Sequence, residues 1–262
     1  MLDDVRGFVF DVDGTLVHRA GKETHVQPGA LEVLAKIRAS GRPLALFTNG
    51  SHETPETFAA GLRDAGLDIA DDELLTPLQS VQFHLQSDGP LLVLANDRVL
   101  AYLERAGLSL TDGESAEAVF VAHVDAVDFA RLERAARAVL AGAELLTASY
   151  APAYAGANGP IISRGAMTAA AIAKASSTEP TIVGKPSRAA LETVSDRLGA
   201  PPEALAVIGD DLGMDVALGK LGGARTILVR SGISGEIDLD GLPDSSCPDA
   251  VVEGVEAVLD WL

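Results

Sequence analysis

The sequence predicts an α/β protein with a Rossmann-like parallel sheet core, helices on both faces and an inserted α/β cap domain. Short apolar runs alternate with amphipathic stretches, which is the pattern of strands connected by crossover helices. The runs are rich in Val, Ile and Leu at successive positions, as in parallel strands that are buried on both faces. With 47% hydrophobic and 22% charged residues, the 262-residue chain has the composition of a packed globular protein.

The predicted strands and helices are short and clearly bounded. Five apolar runs are assigned to the main sheet and two to the middle of the chain: 7–10, 43–47, 181–183, 205–208 and 226–229, then 91–94 and 119–121. Apolar residues at spacings of three and four predict helices at 29–40, 129–140 and 189–198. Gly41 and Gly199 follow two of these helices, where glycine commonly ends a helix.

The middle of the chain is predicted to be an insertion into the main domain. Polar clusters follow strands before about residue 75 and after about residue 180, so both flanking segments are expected to share one sheet. The predicted core domain therefore comprises 1–75 and 178–262, and the cap domain comprises 76–177. The segment 151–165 is rich in Gly and Pro and is predicted to be a loop of the insertion.

Charge and composition argue against several classes of function. The chain has 20 Lys and Arg against 38 Asp and Glu, a formal charge of −18, which disfavours binding to nucleic acid polymers or anionic membranes. A single cysteine, Cys247, cannot form an intramolecular disulfide. The N-terminus has no basic leader and no apolar run reaches about 18 residues. We therefore expect a cytoplasmic protein without a membrane anchor.

Two carboxylates, Asp11 and Asp13, directly follow the first predicted strand and precede Gly14. A buried pair of carboxylates is costly unless a cation compensates it. Mg²⁺ fits oxygen ligands better than Zn²⁺, for which the chain lacks paired Cys or His motifs. A calcium-binding loop fits less well, because such a loop has Gly at position 6 and Glu at position 12. Counted from Asp11, the glycine Gly14 stands at position 4 and position 12 is Lys22. An ordinary Asp-Gly turn remains the alternative.

Two further clusters follow predicted strands. Thr48, Asn49 and Gly50 offer a hydroxyl, an amide and backbone N–H groups to an oxyanion, although the same residues also form ordinary turns. Lys185 precedes Pro186 after another strand, and the alternative for this lysine is a solvated position on the surface.

The last cluster contains three carboxylates, Asp210, Asp211 and Asp215, after the strand 205–208. One of them is sufficient to cap the following helix, but capping does not require three. Ligands of open α/β sheets bind at the carboxyl ends of the strands, so the four clusters are expected to share one edge.

In this order, the four clusters resemble the haloacid dehalogenase superfamily. The motifs that carry the resemblance are Asp-Val-Asp-Gly-Thr at 11–15, the strand-end Thr48, Lys185, and Gly-Asp at 209–210 with a further acid at Asp215. The long insertion, together with Thr-Asn-Gly-Ser and Gly-Lys-Pro-Ser, is similar to subfamily IIA. That subfamily has a type-2 cap and contains NagD-like nucleotidases, p-nitrophenylphosphatases and phosphoglycolate phosphatases.

This resemblance implies a Mg²⁺-dependent phosphatase that forms an aspartyl-phosphate. Asp11 would be the nucleophile and Asp13 the general acid and then the general base. The resemblance assigns the metal to Asp11, the backbone carbonyl of Asp13 and Asp210, with Asp215 as an outer-sphere or direct partner. It also implies that Lys185 neutralises the nucleophile and the transferred group. The phosphate would be bound by Thr48, Asn49 and Gly50.

The sequence departs from this subfamily in two places. Relatives usually have Arg or Asn where Asp211 stands, and Ser149 and Ala151 replace an Asn and an Asp of the cap. We therefore expect altered recognition by the cap, with 150–158 as the candidate specificity segment. The substrate is expected to be a small phosphorylated metabolite, and the subfamily resemblance suggests a homodimer formed through the cap.

Two other functions stay open at this point. A 2-haloacid dehalogenase shares the nucleophile, but it has no use for the additional carboxylates at Asp13, Asp210 and Asp215. A non-catalytic binding module is the other alternative, and it leaves the retention of every expected catalytic residue unexplained.

Overall fold

The computed structural model describes residues 1–20, 23–85, 88–154 and 161–262. The chain forms two compact units. Unit 1 consists of Met1–Thr48, Pro55–Leu75 and Lys185–Leu262, and unit 2 consists of Asn49–Thr54 and Thr76–Gly184.

Unit 1 is built on a parallel sheet of six strands in the order β14-β13-β12-β1-β4-β5. Its central strand β1 pairs with β12 on one side and with β4 on the other. Burial at every position of these strands explains their unbroken apolar sequences. The strand bounds are β1 (Gly7–Phe10), β4 (Leu44–Phe47), β5 (Leu74–Leu75), β12 (Leu205–Gly209), β13 (Arg225–Val229) and β14 (Ala250–Val252).

Helices cover both faces of this sheet, because successive side chains of a strand point to opposite faces. Phe8 and Phe10 of β1 pack into one apolar core, while Val9 packs into the other. Helix α1 (Ala30–Ala39) and the C-terminal 3-10 helix Val255–Trp261 lie on the first face, and α7 (Arg188–Leu198) lies on the second. The remaining helices of unit 1 are α2 (Pro55–Asp64) and α8 (Ala217–Gly222).

A tight loop and a small antiparallel hairpin follow β1. In the loop, the N–H of Gly14 donates to the carbonyl of Val17 at 2.8 Å, and Gly14 has a φ of +96° that favours glycine. The hairpin consists of β2 (Val17–Ala20) and β3 (Glu23–Val26), in which Arg19 faces Thr24. Exposed and half-buried positions alternate along β3, so the hairpin contains no apolar run and is not predicted by the sequence pattern.

Unit 2 has its own parallel sheet of four strands in the order β11-β8-β7-β6. The strands are β6 (Leu91–Leu94), β7 (Ala118–Val121), β8 (Glu144–Thr147) and β11 (Thr181–Ile182), and the helices are α3 (Pro77–His84), α4 (Asp97–Arg105), α5 (Phe129–Leu140) and α6 (Arg164–Ser176). Helices α5 and α6 share an apolar core with this sheet. Among the described helices of both units, none is long and apolar enough to cross a membrane.

Two predicted features differ from the structure. The strand predicted at 181–183 was assigned to the main sheet, but β11 pairs with β8 of unit 2. Because β11 belongs to the sheet of unit 2, this unit extends to Gly184, whereas the insertion is predicted from the sequence to end at residue 177. The predicted loop 151–165 contains a short antiparallel pair, β9 (Ala153–Tyr154) and β10 (Ile161–Ile162), and the start of α6. Residues 155–158 of the candidate specificity segment lie outside the described residues.

Candidate active site

The carboxyl ends of three neighbouring strands of unit 1 carry polar residues at the same edge of the sheet. In the register, Phe10 pairs with Ile208 of β12 and with Leu46 of β4. Asp11 follows β1 and Asp210 follows β12, so the two acids leave adjacent strands at nearly the same level. The strand-end rule of open α/β sheets thus explains how residues about 200 positions apart meet.

Lys185 links two carboxylates of this edge. Its Nζ lies 2.6 Å from Oδ1 of Asp11 and 2.6 Å from Oδ1 of Asp215. The lysine side chain is only 2% exposed, and its ammonium group lies 5.8 Å from the ring centre of Phe47. The solvated surface position that was the alternative for this lysine is therefore wrong.

Asp215 is fixed by the backbone that follows β12. One turn of π-helix, Leu212–Val216, carries this residue back toward the strand, and the N–H of Asp211 donates to its Oδ2 at 3.1 Å. Its carboxylate lies so close to Gly209 that a Cβ at that position would be 2.2 Å from the Asp215 Cγ. A glycine at the end of β12 is thus required by this close approach.

Asp210 is held by the segment that follows β13. The N–H of Ile233 donates to Oδ2 of Asp210 at 2.6 Å, and the hydroxyl of Thr15 donates to Oδ1 at 3.4 Å. The N–H of Ser234 donates to the backbone carbonyl of Asp210 at 3.1 Å. The donors from Ile233 and Thr15 orient the carboxylate, the donor from Ser234 holds the backbone, and Asp210 as a whole is 5% exposed.

Asp211 has a local structural role. Its Oδ1 accepts hydrogen bonds from the N–H groups of Gly213 at 2.7 Å and Met214 at 3.2 Å, so it caps the π-helical turn. Capping by one acid of this cluster was the alternative interpretation, and it applies to Asp211. Burial and then Asp215 raise the pKa of the Asp211 carboxyl above its ordinary value.

The buried charges shift one another's protonation. Burial raises the pKa of Asp11 well above its ordinary value, and Asp215 and Asp210 raise it further against the opposing effect of Lys185. Burial, followed by repulsion from Asp215, raises the pKa of Asp210 to about 6. For Lys185, burial lowers the pKa, but Asp11 and Asp215 outweigh burial and raise it above its ordinary value. The site therefore contains one stable positive charge and an excess of crowded carboxylates.

Three of these carboxylates form a donor set that suits a divalent cation. One oxygen each from Asp11, Asp210 and Asp215 lies within 4.8 Å of the others, and Asp210 and Asp215 are buried. The set offers oxygen ligands alone, which favours a hard cation such as Mg²⁺ over Zn²⁺. A cation here would also relieve the repulsion that raises the pKa of Asp210. The residues thus fit the predicted metal, with Lys185 as a neighbouring fixed charge.

The crowding predicts that Asp210→Asn stabilises the metal-free protein at neutral pH. The folded-state pKa of Asp210 is about 6, against an ordinary value of 3.8. The protonated Asp210 carboxyl therefore contributes to the free energy of unfolding below about pH 4. This contribution is lost as the pH rises through 6, where the folded protein must hold the carboxylate ionised. We expect the variant to exceed the wild type by about 1–3 kcal/mol in free energy of unfolding near neutral pH. Urea unfolding in EDTA near pH 7.5 and pH 4.5 measures this difference, and an equal difference at both pH values would contradict it.

The side chain of Asp13 lies outside the group of three carboxylates. It is 46% exposed, and the guanidinium of Arg19 on β2 binds both of its oxygens. The ligand predicted at this residue is its backbone carbonyl, and that assignment stays a prediction.

The predicted phosphate-binding residues stand where the chain leaves β4. Thr48 belongs to unit 1, is 7% exposed, and donates its backbone N–H to the carbonyl of Leu75 at 3.2 Å. Asn49 and Gly50 belong to unit 2, in which Asn49 Oδ1 would lie 2.6 Å from a Cβ placed at Gly184. Their predicted role in phosphate binding stays a prediction.

Sequence reasoning missed three contributors to the site. Arg19 lies on a hairpin without an apolar signature, and Ile233 acts through its backbone N–H, which any residue carries. The hydroxyl of Ser231 donates to the carbonyl of Gly14 at 2.7 Å and ties the two loops together. The sequence Arg-Ser-Gly at 230–232 directly follows the apolar run at 226–229. This polar segment at a strand end could have indicated that the loop after β13 contributes to the site.

Comparison with known proteins identifies the family. The model of the haloacid dehalogenase-like hydrolases matches residues 8–109, and a second model, described as HAD-hydrolase-like, matches residues 182–258. The ribonucleotide monophosphatase NagD of Escherichia coli K12 is 30% identical over 241 residues, 91% of this chain and 93% of that protein. The dihydroxyacetone phosphatase of Corynebacterium glutamicum is 29% identical over 239 residues, 90% of this chain and 85% of that protein.

A solved structure shows the same fold over the whole chain. The p-nitrophenyl phosphatase from Archaeoglobus fulgidus superposes with a TM-score of 0.85 at 27% identity, and the match covers 99% of this chain and 100% of that one. Together with the carboxylate site at the edge of the parallel sheet, these matches show that the chain belongs to the haloacid dehalogenase-like hydrolases, in the subfamily of NagD and the p-nitrophenyl phosphatases.

Proposed function

We propose that this chain, a phosphatase of its family, hydrolyses small phosphomonoesters with Asp11 as nucleophile. The observation that carries the proposal is the buried ammonium of Lys185, 2.6 Å from both Asp11 and Asp215, beside Asp210. A fixed cation and a set of metal-binding carboxylates around one acid are what a phosphate anion and an attacking carboxylate need together.

In the first half of the reaction, an oxygen of Asp11 attacks phosphorus and the bond to the leaving oxygen breaks. Lys185 contacts Oδ1 of Asp11, so Oδ2 is proposed as the attacking oxygen. Asp13 gives its proton to the leaving oxygen. Lys185 offsets the negative charge that gathers on the nucleophile and the transferred group. Thr48 and Asn49 are proposed to donate hydrogen bonds to the phosphoryl oxygens.

Asp11, Asp210 and Asp215, with the backbone carbonyl of Asp13, would hold Mg²⁺. The bound ion supplies positive charge that offsets the charges of the phosphoryl oxygens and of Asp11. The crowding of the three carboxylates supports this assignment, because without a cation their mutual repulsion opposes full ionisation of the site.

The proposed partner is a small phosphorylated metabolite in the cytoplasm, and not a nucleic acid polymer or a membrane. The formal charge of −18 supports the exclusion of anionic polymers. A small substrate avoids most of this repulsion, because charges more than about 8–10 Å away are largely screened at physiological salt. A homodimer formed through the inserted unit stays a prediction.

A panel of phosphomonoesters tests the substrate class. We expect turnover of p-nitrophenyl phosphate and of at least one metabolite among ribonucleoside monophosphates and dihydroxyacetone phosphate, the classes named for relatives of this chain. Phosphate release is the measurement. Halide release from a 2-haloacid without any phosphate release would favour a dehalogenase, and a folded protein inactive on the whole panel would favour a binding module.

Metal removal is expected to stop this turnover. With p-nitrophenyl phosphate, we expect EDTA to reduce the rate by at least about 100-fold, because the charges around Asp11 are then uncompensated. Added Mg²⁺ should restore the rate, and circular dichroism in EDTA shows whether the protein stays folded. Full activity after exhaustive treatment with EDTA would contradict the proposed metal dependence.

A further inference from the structure

Arg19 binds the proposed general acid and base through two nitrogens. Its Nε donates to Oδ1 of Asp13, and its Nη2 donates to Oδ2 at 3.4 Å. Two parallel donors to one carboxylate are a geometry that Arg forms and Lys does not. Within the described ranges, Arg19 is the side chain that holds the Asp13 carboxylate.

The backbone brings Arg19 to this place. The N–H of Val17 donates to the carbonyl of Val12 at 3.0 Å, and the N–H of Gly14 donates to the carbonyl of Val17 at 2.8 Å, which closes the loop after β1. Arg19 lies two residues beyond Val17 on β2, so both side chains point to the same side of the strand. The position of the guanidinium relative to Asp13 is thus set by a hydrogen-bonded loop.

Asp13 needs such a partner because its surroundings do not confine it. The side chain is 46% exposed, and an exposed carboxylate can occupy several staggered rotamers. A general base must lie within about 2.6–3.2 Å of the proton that it removes, so only one of these orientations is productive. Holding one rotamer therefore affects the rate directly.

We infer that Arg19 is a positioning residue that holds the Asp13 carboxyl group in the orientation needed to activate water in the second half of the reaction. The inference rests on the proposed function. In that step the water oxygen forms a bond to phosphorus and its proton passes to Asp13. The bond between phosphorus and Asp11 breaks, and its electron pair returns to the Asp11 carboxylate. Phosphate leaves, and Asp13 keeps the proton for the next leaving group.

Positioned general acid and base groups contribute about 10²–10⁴-fold to rates. Loss of the two contacts that hold the Asp13 side chain is therefore expected to lower the rate measurably.

Kinetics of Arg19→Ala with p-nitrophenyl phosphate and Mg²⁺ test the inference. Nitrophenolate leaves readily without protonation, so the variant should affect mainly the hydrolysis of the aspartyl-phosphate. We expect kcat to fall about 10-fold or more and KM to fall with it. The fraction of enzyme that carries a phosphoryl group, measured by mass spectrometry after acid quenching, should rise toward one per chain.

Two further variants are the controls. Arg63→Ala removes an ion pair of similar exposure with Asp71 in the same unit and is expected to keep the wild-type kcat. Arg19→Lys keeps the charge without the two-nitrogen contact and should recover only part of the rate. An unchanged kcat in Arg19→Ala, or a lower kcat with a smaller phosphorylated fraction, would overturn the inference. An inactive wild type, or an active Asp11→Asn, would instead overturn the proposed function, and the inference with it.

Discussion

Asp11→Asn is expected to lower kcat by at least about 10⁴-fold, the scale of loss that follows removal of a nucleophile. The amide has nearly the shape of the carboxylate, but its oxygen is a poor nucleophile. The fold should remain, because Lys185 keeps its 2.6 Å contact with Asp215 and the substitution removes an acid whose pKa burial has raised. Steady-state release of phosphate, together with thermal unfolding of the same preparation, measures both effects.

A matched exchange controls for the change of carboxylate to amide. Asp68→Asn alters an acid of the same unit whose side chain is 91% exposed, and its kcat should equal that of the wild type. Substantial turnover by a folded, sequence-verified Asp11→Asn variant would remove Asp11 from the role of nucleophile.

Lys185→Ala is expected to have the second-largest effect, on both activity and stability. It leaves Asp11 and Asp215 buried without their shared cation, and loss of one partner of a buried ion pair costs about 3–5 kcal/mol. We expect Tm to fall by about 10 °C in EDTA and turnover to fall by at least about 100-fold. The loss of stability should be smaller at acid pH, because burial raises the pKa of Asp11 and this carboxyl then takes up a proton.

A second substitution separates the two effects of Lys185. Asp215→Asn in the Lys185→Ala background removes one of the carboxylates left without a cation, so part of the lost stability should return. Activity should not return, since both the Lys185 ammonium group and a carboxylate of the proposed metal site are then missing. Wild-type stability of the single variant would show that the carboxylates need no internal cation.

The main sheet could be predicted because its strands are buried on both faces. The runs at β1 and β12 are apolar throughout, and their predicted bounds agree with the structure to within one residue. The proximity of Asp11 to Asp210 then follows from parallel strands ending at one edge. Lys185 follows β11, which pairs with β8 and not with a strand of the main sheet, but its Nζ still contacts Oδ1 of Asp11.

Other features were beyond sequence reasoning for identifiable reasons. β11 has only two residues, and a short apolar strand carries no information about which sheet it joins. The polar β2–β3 hairpin has no apolar period, so the contact between Arg19 and Asp13 could not be foreseen. The N–H of Ile233 that holds Asp210 is common to nearly every residue type, and only the path of the loop selects it.

The strand order of unit 1 has a consequence for biosynthesis. β1 lies between β4, which is translated soon after it, and β12, which follows only after the whole of unit 2. At about 5–20 residues per second, the roughly 160 residues between β4 and β12 take about 8–32 s to synthesise, and during this time one edge of an apolar strand is unpaired. Such an edge is a template for aggregation on the ribosome. Chaperone dependence should therefore be greatest during this interval and end when β12 emerges and completes the sheet.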